Sequence, residues 1–273
     1  MSVRVEKTIA YTILTALSIG TLLPFVSVIF LALGPSGPNV TGLTPPESVS
    51  FDNFIRSWDQ GGFAQLIINS AIVVAGVVPI VVIFAILAGY AFGTMDFPFK
   101  APLFYILLAG LVVPYEAAVI PLYFGLRDVG LTDTRLGLML PLIGLLMAFS
   151  TYWMRAYFMT APDGLIEAAR TDGANSWTIL WRILLPGARP AISTLIVLTF
   201  MWTWNEFFLS FILIQDPDLR TAPAGLGAFI GERTTDFSGL AAGALIITVP
   251  VLALYVILQR SFVRGLLSGS IKG

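Results

Sequence analysis

The sequence contains no cysteine and no histidine among its 273 residues, and its charged residues amount to 11%. These absences exclude disulfides, thiol catalysis and the usual zinc and haem ligands, so no metal site is expected. A soluble domain usually carries about 25% charged residues, because its surface faces water. The net charge of −1 comes without a basic stripe, so nucleic acid is not an expected partner either.

Apolar residues are abundant instead, at 57% of the chain with a mean hydropathy of +0.88. A helix needs roughly 20 apolar residues to cross a bilayer, and six stretches qualify. They lie at about 9–33, 68–92, 102–124, 136–158, 189–212 and 240–260. The first exceeds the length of a signal-peptide core, so we expect it to remain as a span. With no run of short alternating strands, the sequence predicts an all-α, polytopic membrane protein, with residues 1–273 as a single transmembrane domain.

The basic residues indicate how the chain is oriented. With the N-terminus inside, ten Lys and Arg residues fall in cytoplasmic segments and five fall outside. This bias follows the positive-inside rule. We therefore expect both termini to be cytoplasmic.

The long cytoplasmic loop at about 159–188 carries the most informative local pattern. A first short helix is expected to end at Asp172-Gly173, because glycine tolerates a positive φ. Asn175 or Ser176 can cap a second helix, and Pro186 is expected to end it. On these grounds alone, a docking surface and a plain connector are equally open.

The residues of this loop also match a known motif. Glu167-Ala168-Ala169, Asp172-Gly173-Ala174, Trp177 and Leu185-Pro186 resemble the EAA loop of ABC importer permeases. Two further segments resemble carbohydrate-type permeases of the MalG-like kind: Trp204-Asn205-Glu206-Phe207, and the C-terminal residues 265–273. The resemblance covers nearly the whole chain. It implies the type I ABC importer permease fold, with six transmembrane helices and a cytoplasmic helical coupling loop.

That resemblance implies a function and a set of partners. The chain would be one half of a permease heterodimer in the inner or plasma membrane of a prokaryote, importing a sugar or sugar derivative by alternating access. The implied partners are a second homologous permease, two ATPase subunits, an extracytoplasmic solute-binding protein and the lipid bilayer. No cofactor is expected on this chain, since ATP and Mg²⁺ belong to the ATPase. The sequence agrees, because none of its lysines (Lys7, Lys100, Lys272) follows a glycine as a P-loop requires.

The resemblance also assigns residues that would couple the chain to the ATPase. In the loop these are Glu167, Ala168, Ala169, Asp172 and Gly173. In the tail they are Ser268, Gly269, Ser270 and Lys272.

Two acids fall inside predicted spans, Glu116 in the third and Glu206 in the fifth. An ionisable group is costly in lipid, so each is expected to face the bundle interior or a water-filled cavity. With Asn205 and Trp204 they are candidates for the substrate pathway, because sugars offer hydroxyls to polar groups and ring faces to aromatics. An ordinary position at the membrane interface is the other interpretation.

Smaller features carry structural expectations. Asn69-Ser70 is expected to cap the second span, and Gly137 and Gly144 are expected to allow close helix packing. Two other function classes stay open beside the importer. An ion-gradient-driven carrier would have acids or broken helices near the bilayer midplane, and an assembly scaffold would have a dry interior.

Overall fold

The computed structural model describes residues 3–35, 42–231 and 234–270. Within these ranges the chain forms helices and no β-strand, apart from one isolated antiparallel bridge between Ile230 and Thr235. In chain order, the helices are α1 (Val3–Leu33), α2 (Asp52–Gln60), α3 (Phe63–Thr94), α4 (Lys100–Ala109), α5 (Tyr115–Asp128), α6 (Arg135–Phe158), α7 (Asp163–Thr171), α8 (Ser176–Thr178), α9 (Leu185–Trp204), α10 (Phe208–Leu213), α11 (Ala222–Gly225) and α12 (Phe237–Ser270). The prediction of an all-α fold is confirmed.

Five helices of the described ranges are long and apolar enough to cross a membrane. They are α1, α3, α6, α12 and a continuous helix over Ser176–Trp204. The predicted third span is not one helix, because α4 ends at Ala109 and α5 begins at Tyr115. Pro114 accounts for the restart: it has no N–H to donate, and its backbone is extended, with ψ 116°. The six-span count therefore stays a prediction.

The helix over Ser176–Trp204 corrects the expectation that Pro186 ends a short helix. Pro186 lies in the first turn of α9, directly after a π-helical turn at Ile179–Leu184. The wider turn accommodates a residue that cannot donate a backbone hydrogen bond, so the helix continues. The predicted fifth span consequently begins earlier than 189. It is interrupted after Trp204, before α10.

The chain divides into two compact units. The first comprises residues up to Ile67 together with Gly225–Val249. In it, the buried Asn53 of α2 donates hydrogen bonds to the carbonyls of Ala32 (3.0 Å) and Gly34 (2.7 Å). The short amphipathic helix α2 is thereby fixed at the end of α1.

The second unit comprises Ile68–Ala224 and the chain from Pro250 onward. Its core depends on close helix packing at glycines of α3. A Cβ added to Gly89 would lie 2.5 Å from the Met154 Cβ of α6, and one added to Gly76 would lie 2.7 Å from the Met139 sulfur. Gly144, expected to serve this purpose, has open space beside it instead. The close approach therefore uses glycines of α3.

The position of Asn69 differs from the prediction that Asn69-Ser70 caps the second span. Helix α3 begins at Phe63, so Asn69 lies inside the helix and is not its cap. Its side chain is fully buried and donates to the carbonyls of Asp218 (2.7 Å) and Arg220 (3.0 Å). Ser70 is likewise buried and accepts a hydrogen bond from the Ala222 amide at 2.8 Å. These two residues attach the loop before α11 to α3.

Candidate functional site

The loop after α6 folds as the sequence predicts, as two helices around a tight turn. Helix α7 ends before Gly173, which has a φ of +81°. The Ala174 amide donates to the Ala169 carbonyl at 2.9 Å and closes the turn. Asn175 caps the next helix by accepting a hydrogen bond from the Thr178 amide at 2.9 Å. Of the two capping candidates, Asn175 is therefore the one used.

Helix α7 has one buried and one exposed face. Ile166 and Ala169 are buried in the core formed by α3, α6 and the helix over Ser176–Trp204. Glu167, Ala168 and Leu165 are exposed. Ala169, predicted on the coupling surface, packs inward instead because it lies three residues after Ile166 on the same helical face. Its structural role is to hold α7 against the core.

The turn itself is open to solvent. Asp172 and Gly173 are exposed, and a Cβ built on Gly173 meets no atom within 4 Å. Glycine is needed at position 173 because of the positive φ. Steric crowding is not the reason, because no other part of the chain is close to the built Cβ. The space beside the turn is free for another molecule.

Two tryptophans extend the exposed surface beyond the predicted residues. Trp177 is 62% exposed and Trp181 is 39% exposed, with ring centroids 5.3 Å apart. Trp181 is not among the coupling residues predicted from the sequence. The signal was present, because aromatic residues four apart on a helix lie side by side. We name the exposed residues Leu165, Glu167, Ala168, Asp172, Gly173, Trp177 and Trp181 the coupling face.

The second candidate region surrounds the break between α9 and α10. Glu206 is half-buried, and its Oε1 accepts a hydrogen bond from the Leu209 amide at 2.7 Å. The side chain therefore caps α10. Asn205 is exposed, and its amide donates to the Met201 carbonyl at 2.9 Å. Both polar residues lie where the helix is interrupted.

Trp204 is placed differently from the prediction. It is 3% exposed and stacks on Phe200, with centroids 5.6 Å apart and an interplanar angle of 14°. A buried ring has no free face for a sugar. Trp204 is a packing residue in this conformation, and the nearby Trp202, at 44% exposure, is the accessible indole.

Glu116 lies at the other helix break, in the first turn of α5. It is exposed and follows Tyr115 directly in the chain. The Tyr115 ring meets Phe208 of α10 edge to face, with centroids 6.1 Å apart. Glu206 is within electrostatic range of both Tyr115 and Glu116. The structure thus brings the two acids into one neighbourhood, each at the start of a helix.

A cavity of about 320 Å³ lies beside Tyr115. Its lining is mainly apolar and comprises Gly110, Val113, Tyr115, Ala118, Leu122, Pro141, Gly144, Leu145 and Leu209. The sequence gives no signal for this cavity, because its walls come from three helices (α5, α6 and α10) and the 110–114 break. The tail residues Ser268, Gly269 and Ser270 belong to the last turn of α12, while Lys272 lies outside the described residues.

Apolar helices long enough to cross a membrane, together with helix interruptions at 110–114 and 205–207, are typical of membrane transport proteins. Residues 58–268 match the family described as "Binding-protein-dependent transport system inner membrane component". The chain belongs to this family. Its members are permease subunits of ABC transporters. These subunits are not enzymes, and ATP hydrolysis belongs to a separate subunit.

Similar proteins and structures agree with this assignment. The chain is 36% identical to the probable ABC transporter permease protein YurM of Bacillus subtilis (strain 168), over 84% of this chain and 76% of that protein. It is 32% identical to the trehalose transport system permease protein SugB of Mycobacterium tuberculosis (strain CDC 1551 / Oshkosh), over 96% and 97% of the two chains. A crystal structure of a bacterial ABC transporter that imports the acidic polysaccharide alginate has the same fold, with a TM-score of 0.78, 24% identity and coverage of 95% and 97%.

The family decides between the function classes left open by the sequence. Helix breaks near acids, expected of an ion-driven carrier, are present at 110–114 and 205–207. Helix breaks do not distinguish an ion-driven carrier from an ABC importer permease, because this chain, a member of the permease family, has such breaks. The carrier and scaffold alternatives are therefore set aside.

Proposed function

We propose that this chain imports a sugar or sugar derivative as one permease of a heterodimeric ABC importer, with the coupling face receiving the motion of an ATPase. The observation that carries the proposal is the division of α7 into two faces. Ile166 and Ala169 fix it to the core, while Glu167 and Ala168 remain free for a partner. A helix seated in this way can pass a push on its outer face to the helices beneath it.

The family and the exposed apolar surface support the proposed assembly. The family depends on a solute-binding protein, which supports an extracytoplasmic binding-protein partner. Helix α1 exposes large apolar side chains along most of its length, among them Tyr11 (69%), Leu17 (63%) and Phe25 (64%). These side chains suit lipid and a second permease. Two ATPase copies would complete the importer, with both termini of this chain in the cytoplasm of a prokaryotic cell.

The charges near the helix breaks support a neutral sugar as the solute. Glu206 and Glu116 supply negative charge and hydrogen-bond acceptors, and Tyr115 adds a hydroxyl and a ring. Such a set favours a neutral, hydroxyl-rich solute over an acidic one. The similarity to a trehalose permease supports a sugar. Alginate, the cargo of the structural neighbour, is acidic, so we expect a different solute here.

The experiment is co-purification and reconstitution of the whole importer with Glu167→Arg and, separately, Gly173→Trp. The wild-type chain should bring down an ATPase whose turnover rises with solute and binding protein. Either variant should remove most of this stimulation and leave the permease folded. Glu47→Arg, an exposed acid outside the loop, is the matched control and should keep full stimulation. Stimulation that survives both loop variants would contradict the proposal.

A further inference from the structure

A small cationic cavity lies where α4 packs against α6. Its volume is about 170 Å³, and it is lined by Lys100, Ala101, Phe104, Tyr105 and Arg155. We propose that it binds the phosphate headgroup of an anionic phospholipid. The positive-inside bias expected from the sequence would place both cations on the cytoplasmic side, and the fold adds that they line one cavity.

Arg155 is held in place while its terminal nitrogens stay available. Its Nε donates to the Phe92 carbonyl at 3.2 Å, and its guanidinium lies 4.2 Å from the centroid of the Phe104 ring. Phe104 is buried and packs against Phe92, with centroids 5.4 Å apart. No hydrogen bond from Nη1 or Nη2 is found to any residue that the structure describes. The guanidinium is thus pre-organised to donate to an incoming oxyanion.

Lys100 contributes the second cation from the start of α4. Its Nζ donates to the Met95 carbonyl at 2.6 Å and lies 3.5 Å from Asp96 Oδ1. An ammonium has three donors, so one is left for a ligand. The Asp96 side chain is fully exposed, and an exposed ion pair of this kind is weak. The cavity therefore has a net positive charge.

The surroundings favour a lipid over a free ion. Leu103, Tyr105 and Ile106 of α4 are 47%, 69% and 70% exposed, so the helix offers an apolar outer face beside the cavity. Acyl chains can lie along that face while the phosphate occupies the cavity. The cavity has room for roughly six water molecules at about 30 Å³ each, which suits a phosphate group with its glycerol and acyl chains outside. Lys100 and Arg155 both belong to segments that the sequence places on the cytoplasmic side, where basic pockets between helices recognise acidic headgroups.

The test uses the intact importer in nanodiscs of equal phosphatidylglycerol and phosphatidylcholine. Lipids that remain bound are counted by native mass spectrometry. The wild type should retain phosphatidylglycerol at least tenfold over phosphatidylcholine, and Lys100→Gln with Arg155→Gln should abolish this preference. Arg182→Gln removes an exposed arginine that does not line the cavity, and it should keep the preference.

The single variant Lys100→Gln keeps the Arg155 packing intact. It should lower the preference severalfold, and it serves if the double variant does not fold. Inorganic phosphate added at millimolar concentration should leave the bound lipid in place. Equal retention of both lipids by the wild type would overturn the proposal. So would an unchanged preference in the cavity variants, or displacement of the lipid by phosphate.

Discussion

The side-chain oxygen of Asn69 accepts two hydrogen bonds from the Arg135 guanidinium, at 2.8 Å from Nη2 and 3.3 Å from Nε. The same side chain donates to the carbonyls of Asp218 and Arg220. One buried amide thus joins α3, the first turn of α6 and the loop before α11. The arrangement fixes the ends of these helices in the second unit.

Replacing Asn69 with alanine should destabilise the protein, because it leaves two carbonyls and a guanidinium without their partner. Loss of hydrogen bonds that involve a charged group costs about 1.5–3 kcal/mol. Denaturant or thermal unfolding of the purified permease measures the loss. Asn205→Ala is the control, because its exposed amide bonds only within its own helix turn, and it should change stability little. Equal effects of the two variants would contradict the assignment.

Gly173→Ala should strain the coupling-loop turn. An L-residue with a left-handed backbone costs about 1–2 kcal/mol, and no steric clash adds to it because the space is open. Gly164→Ala is the matched control, since Gly164 also has open space and lies in α7 with no positive φ. The control should be neutral or slightly stabilising. Solute-stimulated ATP turnover and unfolding measured together should separate the two variants.

Charge and capping at Glu206 can be separated by two substitutions. Glu206→Gln keeps an oxygen that can accept from the Leu209 amide, while Glu206→Ala removes it. A lost helix cap costs about 1 kcal/mol, so the alanine variant should be less stable than the glutamine variant. If the charge itself contacts solute, Glu206→Gln should still raise the solute concentration for half-maximal uptake. Unchanged uptake in the glutamine variant would limit Glu206 to a structural role.

The buried Trp204 and the exposed Trp177 should respond differently to replacement by alanine. Trp204→Ala opens a cavity beside Phe200 and should cost about 3–5 kcal/mol of stability. Trp177→Ala removes an exposed ring and should leave the unfolding curve nearly unchanged, yet reduce solute-stimulated ATP turnover. Unfolding curves paired with turnover assays measure both. If only Trp204→Ala reduced solute-stimulated ATP turnover, Trp177 would not belong to the coupling face.

Much of the fold could be predicted from the sequence because long apolar runs and turn residues act locally. The helix over 68–92 and the turn at Asp172-Gly173 followed from composition and glycine chemistry. The break at 110–114 did not, because apolar residues continue through it and Pro114 is compatible with either a kink or a restart. The continuation of the helix through Pro186 could not be predicted either, because the π-helical turn before it has no sequence signature here.

The candidate site was predicted in its residue types more than in its geometry. Helical spacing alone would have placed Ala169 on the face of Ile166, yet its motif neighbour Ala168 is on the other side. The burial of Trp204 depends on Phe200 one turn earlier and on the helices around it. The proximity of Glu116 to Glu206 comes from packing between α5 and α10, which are 80 or more residues apart in the chain. Tertiary contacts of this kind cannot be read from local pattern.

The continuous helix over Ser176–Trp204 has a mechanical consequence. At 1.5 Å per residue, its 29 residues form a lever of roughly 40 Å, with the Trp177–Trp181 pair near one end and the Glu206 break just beyond the other. A tilt of a few degrees imposed at the tryptophan end displaces the opposite end by several ångströms. Under the proposed function, motion received at the tryptophan end would reach the acid neighbourhood along this one helix, which includes the π-helical turn at Ile179–Leu184.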